Sequence, residues 1–397
     1  MSLLPGLLLL LVRGSAQDCV IDHRIPEDAW EQKLHTDLIN TGSLEPLCNK
    51  TEPLDVYIRF TLRYFEYLSE ESTFNIYTRV HISWTHDRLT WDPKDYGGIE
   101  ETVLVSGTEM WYQTFRVLNS PETDDTVHHY NVPCQVAHTG RVVCVPRFND
   151  PAICVPDLTD WPYDRQTCSL LIAPPDHNTG GANKIKLSFG GRAITMFGAE
   201  YGAEWMIIDY LQTNGTDTLN MTFVMERHGE GLAAVVVFPG VMLSALTLTA
   251  LALDPRQSTR ASLLGFSVAA HVYFINQLRA MAPLHQLASV PSLVYYYRGS
   301  LLATLVALVS SLCLGALCRK SSPAPRWLHE LQAAVGSHWT RLLIPRWECG
   351  ETNNTERDTE RWTNVANIAN AACLLIFPVV YVSMYFSLVP QPYPITN

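Results

Sequence analysis

The chain has 397 residues, 47% of them hydrophobic, and a formal net charge of −11. That length exceeds one ordinary domain and suits two, while the average apolar share excludes a protein that is membrane-embedded throughout. Between Gln17 and Glu230 the sequence holds 32 Asp and Glu against 16 Lys and Arg. So acidic a segment repels polyanions, which excludes a nucleic-acid binder, and enriches cations near its surface.

In chain order, Leu3 to Val12 forms an apolar core followed by small residues at Gly14 and Ala16, the pattern of a signal peptide over residues 1–16. Export predicts oxidised cysteines. Cys19, Cys48, Cys134, Cys144, Cys154 and Cys168 all precede the apolar runs, an even number that allows three disulfides. Cys313, Cys318, Cys349 and Cys373 lie beyond and are expected as free thiols. Sequons at Asn49, Asn214 and Asn220 fall in the exported part. A fourth, at Asn353, falls in a cytoplasmic loop and is expected to be silent.

A helix is expected over Pro26–Ile39. From Leu54 onward come short runs rich in β-branched and aromatic residues: Val56–Phe65, Phe74–Trp84, Thr102–Ser106 and Val142–Val145. Turn pairs such as Gly97-Gly98, Thr139-Gly140 and Asn214-Gly215 separate runs of this kind, which argues for an antiparallel sandwich. His128, His129 and His138 stand near Cys134 and Cys144. A metal site is one reading, but no full ligand set is spaced for it, and a bridge between the two cysteines across a hairpin is preferred. No metal is assigned. No nucleophile elbow, phosphate loop or metalloprotease motif occurs, so nothing points to an enzyme or a cofactor.

Four uncharged apolar runs follow: Gly231–Leu253, Ala261–Leu278, Gly299–Cys318 and Thr363–Val389. Each is long enough to cross about 30 Å of hydrocarbon, the second only just. The fold class is therefore an all-β extracellular sandwich followed by an all-α four-helix transmembrane bundle. The divisions are 1–16 (signal), 17–230 (sandwich), 231–318 (three spans), 319–362 (short cytoplasmic loop with a helix over Pro325–Val335), 363–389 (fourth span) and 390–397 (extracellular end). Arg319 and Lys320, directly after the third span, agree with the positive-inside rule.

The sharpest local feature is the segment Cys154 to Cys168, with the core Trp161-Pro162-Tyr163-Asp164. A disulfide closing such a loop restricts the unfolded chain, Pro162 sets one backbone dihedral, and Trp161 with Tyr163 supplies an apolar face for a membrane surface. This segment resembles the signature loop of Cys-loop receptors. Ile82 to Gly98, with Trp84, Trp91 and Tyr96, is similar to the second-strand motif of nicotinic-type subunits. Glu204-Trp205, Glu226-Arg227, Asp254-Pro255 and Gly265 also fall where that family keeps such residues.

The resemblance implies a ring of five subunits in the plasma membrane, homomeric or heteromeric, surrounded by membrane lipid and opened by a small-molecule agonist at subunit interfaces. It implies that Trp161, Pro162, Tyr163, Asp164 and Arg227, with the outer link Leu284–Leu287, couple binding to gating, and that Asp164 pairs with Arg227. Disulfides Cys154–Cys168, Cys134–Cys144 and Cys19–Cys48 are expected. Pore-facing positions are expected to be Arg260, Leu263, Ser267, Ala270, Phe274 and Leu278, while His271, Asn276 and Gln277 face neighbouring helices. Arg260, at the inner acidic-ring position, is expected to hinder cations.

The sequence departs from the family at the amine box, where ring faces attract a cation. Arg79, Leu118 and Pro175 stand at three aromatic positions, and no adjacent cysteine pair lies between Trp205 and Arg227. Arg79 suits an anionic group instead. His177, Tyr210 and Phe223 are further candidates for a different pocket. These departures keep open a second reading, a receptor-like binding protein or auxiliary subunit that does not conduct alone.

Overall fold

The structure, a computed structural model, describes residues 27–41, 53–121, 131–174, 185–215, 218–282, 289–319 and 356–393. The signal peptide, Cys19, Cys48, Asn49, His128, His129, Pro175, His177, the link 284–287, the helix expected at 325–335 and Cys349 lie outside them.

Helix α1 spans Glu27–Asn40 and buries Leu34 and Leu38 against the sandwich. Its Trp30 closes over Gly97, whose φ of +65 is natural only for a residue without a side chain.

Twelve strands follow among the described residues. β1 (Leu54–Leu68), β2 (Thr73–Thr90), β3 (Glu101–Val105), β5 (Pro133–Ala137), β6 (Thr139–Cys144), β7 (Arg147–Phe148), β8 (Pro151–Ile153) and β10 (Ile185–Thr195) make one sheet, ordered β10-β1-β2-β6-β5-β3 with β7 and β8 on β2. β11 (Trp205–Asn214), β12 (Leu219–Arg227), β9 (Arg165–Ala173) and β4 (Arg116–Val117) make the other. The period-2 alternation of β1, β2 and β12 puts every second side chain into one shared core. Phe74 on β2 meets Phe223 on β12 at 5.3 Å between ring centroids, joining the sheets.

Among the described residues, four long helices follow the sandwich: α2 (Glu230–Leu251), α3 (Ser258–Met281), α4 (Ser292–Cys318) and α5 (Glu356–Leu388). Each contains a stretch long and apolar enough to cross a membrane. They pack through apolar clusters and through a chain of small hydroxyls. Ser244 of α2 bonds Tyr296 of α4 at 2.8 Å, and Thr247 of α2 bonds Ser267 of α3 at 3.1 Å and Thr304 of α4 at 3.2 Å. Thr304 reaches Tyr381 of α5 at 3.1 Å. With no water among lipid tails, such groups find their partners on other helices.

Candidate functional site at the joint between sandwich and helices

The loop before β9 is built to reach the helices. The Cys154–Cys168 disulfide closes its base. Inside it, Gln166 binds both sides of the loop: its Nε2 donates to the Asp157 carbonyl at 2.8 Å and to Asp164 Oδ2 at 2.7 Å. Thr159 donates from backbone and hydroxyl to Asp157 Oδ1, which holds that carboxyl below the usual Asp range.

At the tip, Trp161 is not the exposed apolar face that the sequence alone suggests. Trp161 is 1% exposed and packs with Leu158 among Val236, Leu278, Leu293, Tyr296 and Tyr297 of the helices. Burying so large a ring there removes more apolar area from water than any surface contact would. Ser292 of α4 donates from its backbone and its hydroxyl to the Thr159 carbonyl, and Leu158 donates to Ser289. Behind the loop, Gly229 lets α2 begin against Pro162: a Cβ there would stand 2.2 Å from the Pro162 carbonyl oxygen.

Arg227, the last residue of β12, ties the same loop to α2. Its Nε donates to Asp164 Oδ1 at 2.7 Å and its Nη2 to Oδ2 at 3.3 Å. The two side chains are 4% and 1% exposed. Nη1 pairs with Glu204, whose side chain is 57% exposed, and the guanidinium lies 4.1 Å from the Trp205 ring centroid. The charge is thus neutralised inside and stacked on an indole face. Tyr67 donates to the Cys154 carbonyl nearby, and burial, with Asp164, pushes its hydroxyl above the usual Tyr range. A cavity of about 330 Å³ opens between Tyr67, Glu71, Trp161, Arg227, Leu232 and Met281. Arg227 thus joins the end of β12 to the loop where α2 begins, and the Thr159 carbonyl joins the same loop to α4.

The remaining expected residues divide. Cys134 and Cys144 form a disulfide across β5 and β6, which removes them from any metal site; among the described residues no group of three His, Cys, Asp or Glu is placed to hold an ion. Asn214 is exposed at the end of β11, and Asn220 is half-buried. Arg79 projects from β2 into solvent, and Leu118 is exposed beside β9. Tyr210 accepts a 2.8 Å bond from Arg192. Phe223 is corrected: it is fully buried in the sandwich core and touches no surface.

Three pore assignments are also corrected. Arg260, Ser267 and Leu278 are buried within the subunit's own bundle, on one stripe of α3 with Leu264 and His271. Arg260 donates to the Leu253 carbonyl at 2.9 Å and to Asn370 Oδ1 of α5 at 2.8 Å. His271 bonds Ser300 of α4 at 2.7 Å. A pore wall must be open in the isolated subunit. Leu263 is 36% exposed, and Ala270 and Phe274 are half-buried. The face opposite the buried stripe carries Ser262, Phe266, Ala269, Tyr273 and Asn276, all exposed. Spacing could have revealed the buried stripe, because Ser244 and Thr247 on α2, Ser267 and His271 on α3, and Ser300 and Thr304 on α4 each recur within a turn.

Residues 31–238, more than half of the chain, match the family model for the neurotransmitter-gated ion-channel ligand binding domain. The chain is 24% identical over 352 residues to the human neuronal acetylcholine receptor subunit alpha-10, covering 83% of this chain and 74% of that one. It is 21% identical over 329 residues to the Carassius auratus neuronal acetylcholine receptor subunit beta-2, covering 79% and 69%. It is 21% identical over 357 residues to the acetylcholine receptor-like protein cup-4 of Caenorhabditis briggsae, covering 78% and 79%. With these relatives, the four long apolar helices make it a multi-pass membrane protein with an extracellular N-terminal domain. The loop wedged among the helices, the two-layer architecture and the family match lead to one conclusion: the chain belongs to the neurotransmitter-gated ion-channel family, as a nicotinic-branch Cys-loop receptor subunit and not an enzyme.

Proposed function

We propose that five copies of this chain assemble around an axis in the plasma membrane, and that a small molecule bound between sandwiches opens a central pore. The observation that carries this reading is the buried Arg227–Asp164 pair beside Trp161, a rigid mechanical link between the ligand-binding layer and α2 and α4. The pore wall is then the exposed face of α3: Ser262, Phe266, Ala269 and Tyr273. Rings of Phe266, 64% exposed in the subunit, and of Tyr273 narrow such a pore and exclude water from it, a gate by dewetting.

A second reading is favoured by the same rings and by Arg79 and Leu118 at the amine box: an auxiliary subunit that assembles but does not conduct alone. Expression of the chain by itself, with current recording in ion-substituted baths and mass measurement of the extracted assembly, separates them. A five-subunit mass with ligand-evoked currents, larger in Phe266→Ala, supports the channel. A five-subunit mass with no current from either protein supports the auxiliary role, and a monomeric mass overturns both.

A further inference from the structure

We propose that the extracellular domain carries N-linked sugar at Asn214 and none at Asn220, although both head a glycosylation sequon, and that the sugar on Asn214 screens the edge strand β11. The two sequons, Asn214-Gly215-Thr216 and Asn220-Met221-Thr222, stand on opposite arms of one hairpin.

On this side of the sandwich two edge strands face each other. β10 ends the first sheet and β11 ends the second. Side chains of β11 satisfy the backbone of β10 across the gap. Phe189 donates its N–H to Asn214 Oδ1 at 3.4 Å, Ala193 donates to Gln212 Oε1 at 2.6 Å, and Gln212 Nε2 donates to the Gly191 carbonyl at 2.9 Å. In the same row Arg192 donates to the Tyr210 hydroxyl at 2.8 Å.

Asn214 thus engages β10 through its amide oxygen alone. Its Nδ2, the atom that bonds to a sugar, has no partner among the described residues. The residue is exposed at the end of β11. The next position adds no side chain beside the amide: Gly215 donates its N–H to the Thr218 carbonyl at 2.8 Å, and a Cβ there would stand 2.8 Å from that same oxygen.

Asn220 is placed differently. It lies on a central strand, β12, between Thr213 of β11 and Leu171 of β9. It is half-buried, and its Oδ1 is buried with no donor among the described residues. The amide is therefore turned into the sheet, and a sugar on Nδ2 would have to lie across both neighbouring strands. An edge strand with apolar groups in solvent, by contrast, is a template for pairing with another chain. β11 is such a strand, with Leu211 64% exposed and Ile208 also exposed. A bulky hydrated group at its end hinders a second chain from lying along it.

The modification needs a lipid pyrophosphate-linked oligosaccharide as donor. Asn214 Nδ2 bonds to C1 of the sugar, the bond from C1 to the pyrophosphate oxygen breaks, and the lipid pyrophosphate leaves as Nδ2 gives up one proton.

The full-length protein, expressed in glycosylating cells and extracted in detergent, tests this. Release of N-glycans by an amidase in heavy-oxygen water turns each sugar-bearing asparagine into a labelled aspartate, read by peptide mass spectrometry. Label is expected at position 214 and not at 220. No label at 214, or label at 220, overturns the assignment. Thr216→Ala removes the sequon and leaves the Asn214 bond to Phe189 in place. It is expected to lose one glycan in mass and to raise the aggregated fraction on size-exclusion chromatography several-fold, while Asn220→Gln leaves the sugar mass unchanged. Leu211→Lys, added to Thr216→Ala, is expected to bring the aggregated fraction back down, because it removes the apolar edge group. An unchanged aggregated fraction in Thr216→Ala, or one that Leu211→Lys does not lower, overturns the screening role. Occupancy is read on the wild-type protein without variants or currents, so it stands or falls apart from the channel reading.

Discussion

Replacing Asp164 with Asn keeps the shape of the joint and removes one charge. Asp164 receives Arg227 at 2.7 and 3.3 Å and Gln166 at 2.7 Å, and the amide of Asn retains one acceptor for these three donors. The arginine side chain, 4% exposed, keeps only Glu204, which is largely in solvent and screened. Breaking a buried pair by removing one partner costs about 3–5 kcal/mol, and the surviving Glu204 contact puts this case near 3. For a domain of this size about 1 kcal/mol moves the midpoint by roughly 2–4 °C, so thermal unfolding of the purified protein, followed by tryptophan fluorescence, should fall by about 6–12 °C. Glu204→Gln, at the exposed end of the network, should cost less than about 1 kcal/mol. Arg227→Gln combined with Asp164→Asn should cost clearly less than the sum of the two single changes, since no buried charge is left unpaired. Strict additivity, or an Asp164→Asn loss no larger than that of Glu204→Gln, refutes the claim that the pair holds the joint.

Gly229→Ala puts a methyl group where the Pro162 carbonyl stands, so α2 must move off the loop; surface expression should fall several-fold, and unchanged expression with an unchanged concentration–response would show that the contact is dispensable. Tyr67 and Tyr112 have hydroxyls that burial raises above the usual range. Their contribution is therefore complete below the unfolded Tyr value near 10 and is lost as pH rises past it; denaturant midpoints measured between about pH 8 and 11 should drop at the alkaline end, less steeply in Tyr67→Phe. Arg260→Gln should weaken the packing of α3 on α5 by about 1.5–3 kcal/mol and leave the reversal potential of any current unchanged, whereas a shifted potential with stability retained would put Arg260 back in the ion path.

The two-layer architecture was legible in the sequence because it rests on periodicities within single segments. The alternation of β1 and β2 and the four uncharged runs each declare their element without reference to any other part of the chain. The Cys154–Cys168 segment was legible for the same reason, its spacing and core being local. Which face an element turns inward was not. One residue along α3 turns a side chain by about 100°, and this helix has small or polar groups on both faces, so its pattern taken alone does not separate the buried Ser267 and His271 from the exposed Ser262 and Asn276; the matching hydroxyl spacing on α2 and α4 is the added signal. The choice is made by Thr247, Ser300 and Asn370, which hold Ser267, His271 and Arg260 from three other helices. Phe223 and Trp161 follow the same rule: each is an aromatic residue suited to a surface or a core, and Phe74 across the sandwich and Tyr296 in the bundle decide for the core. Arg59 and Arg141 lie on separate strands, and only the register of β1, β2 and β6 brings both to the lining of one outer cleft. A chain's local chemistry sets what each segment becomes; burial of charge and of aromatic area depends on partners tens to more than a hundred residues away, and those partners meet only when the tertiary structure closes.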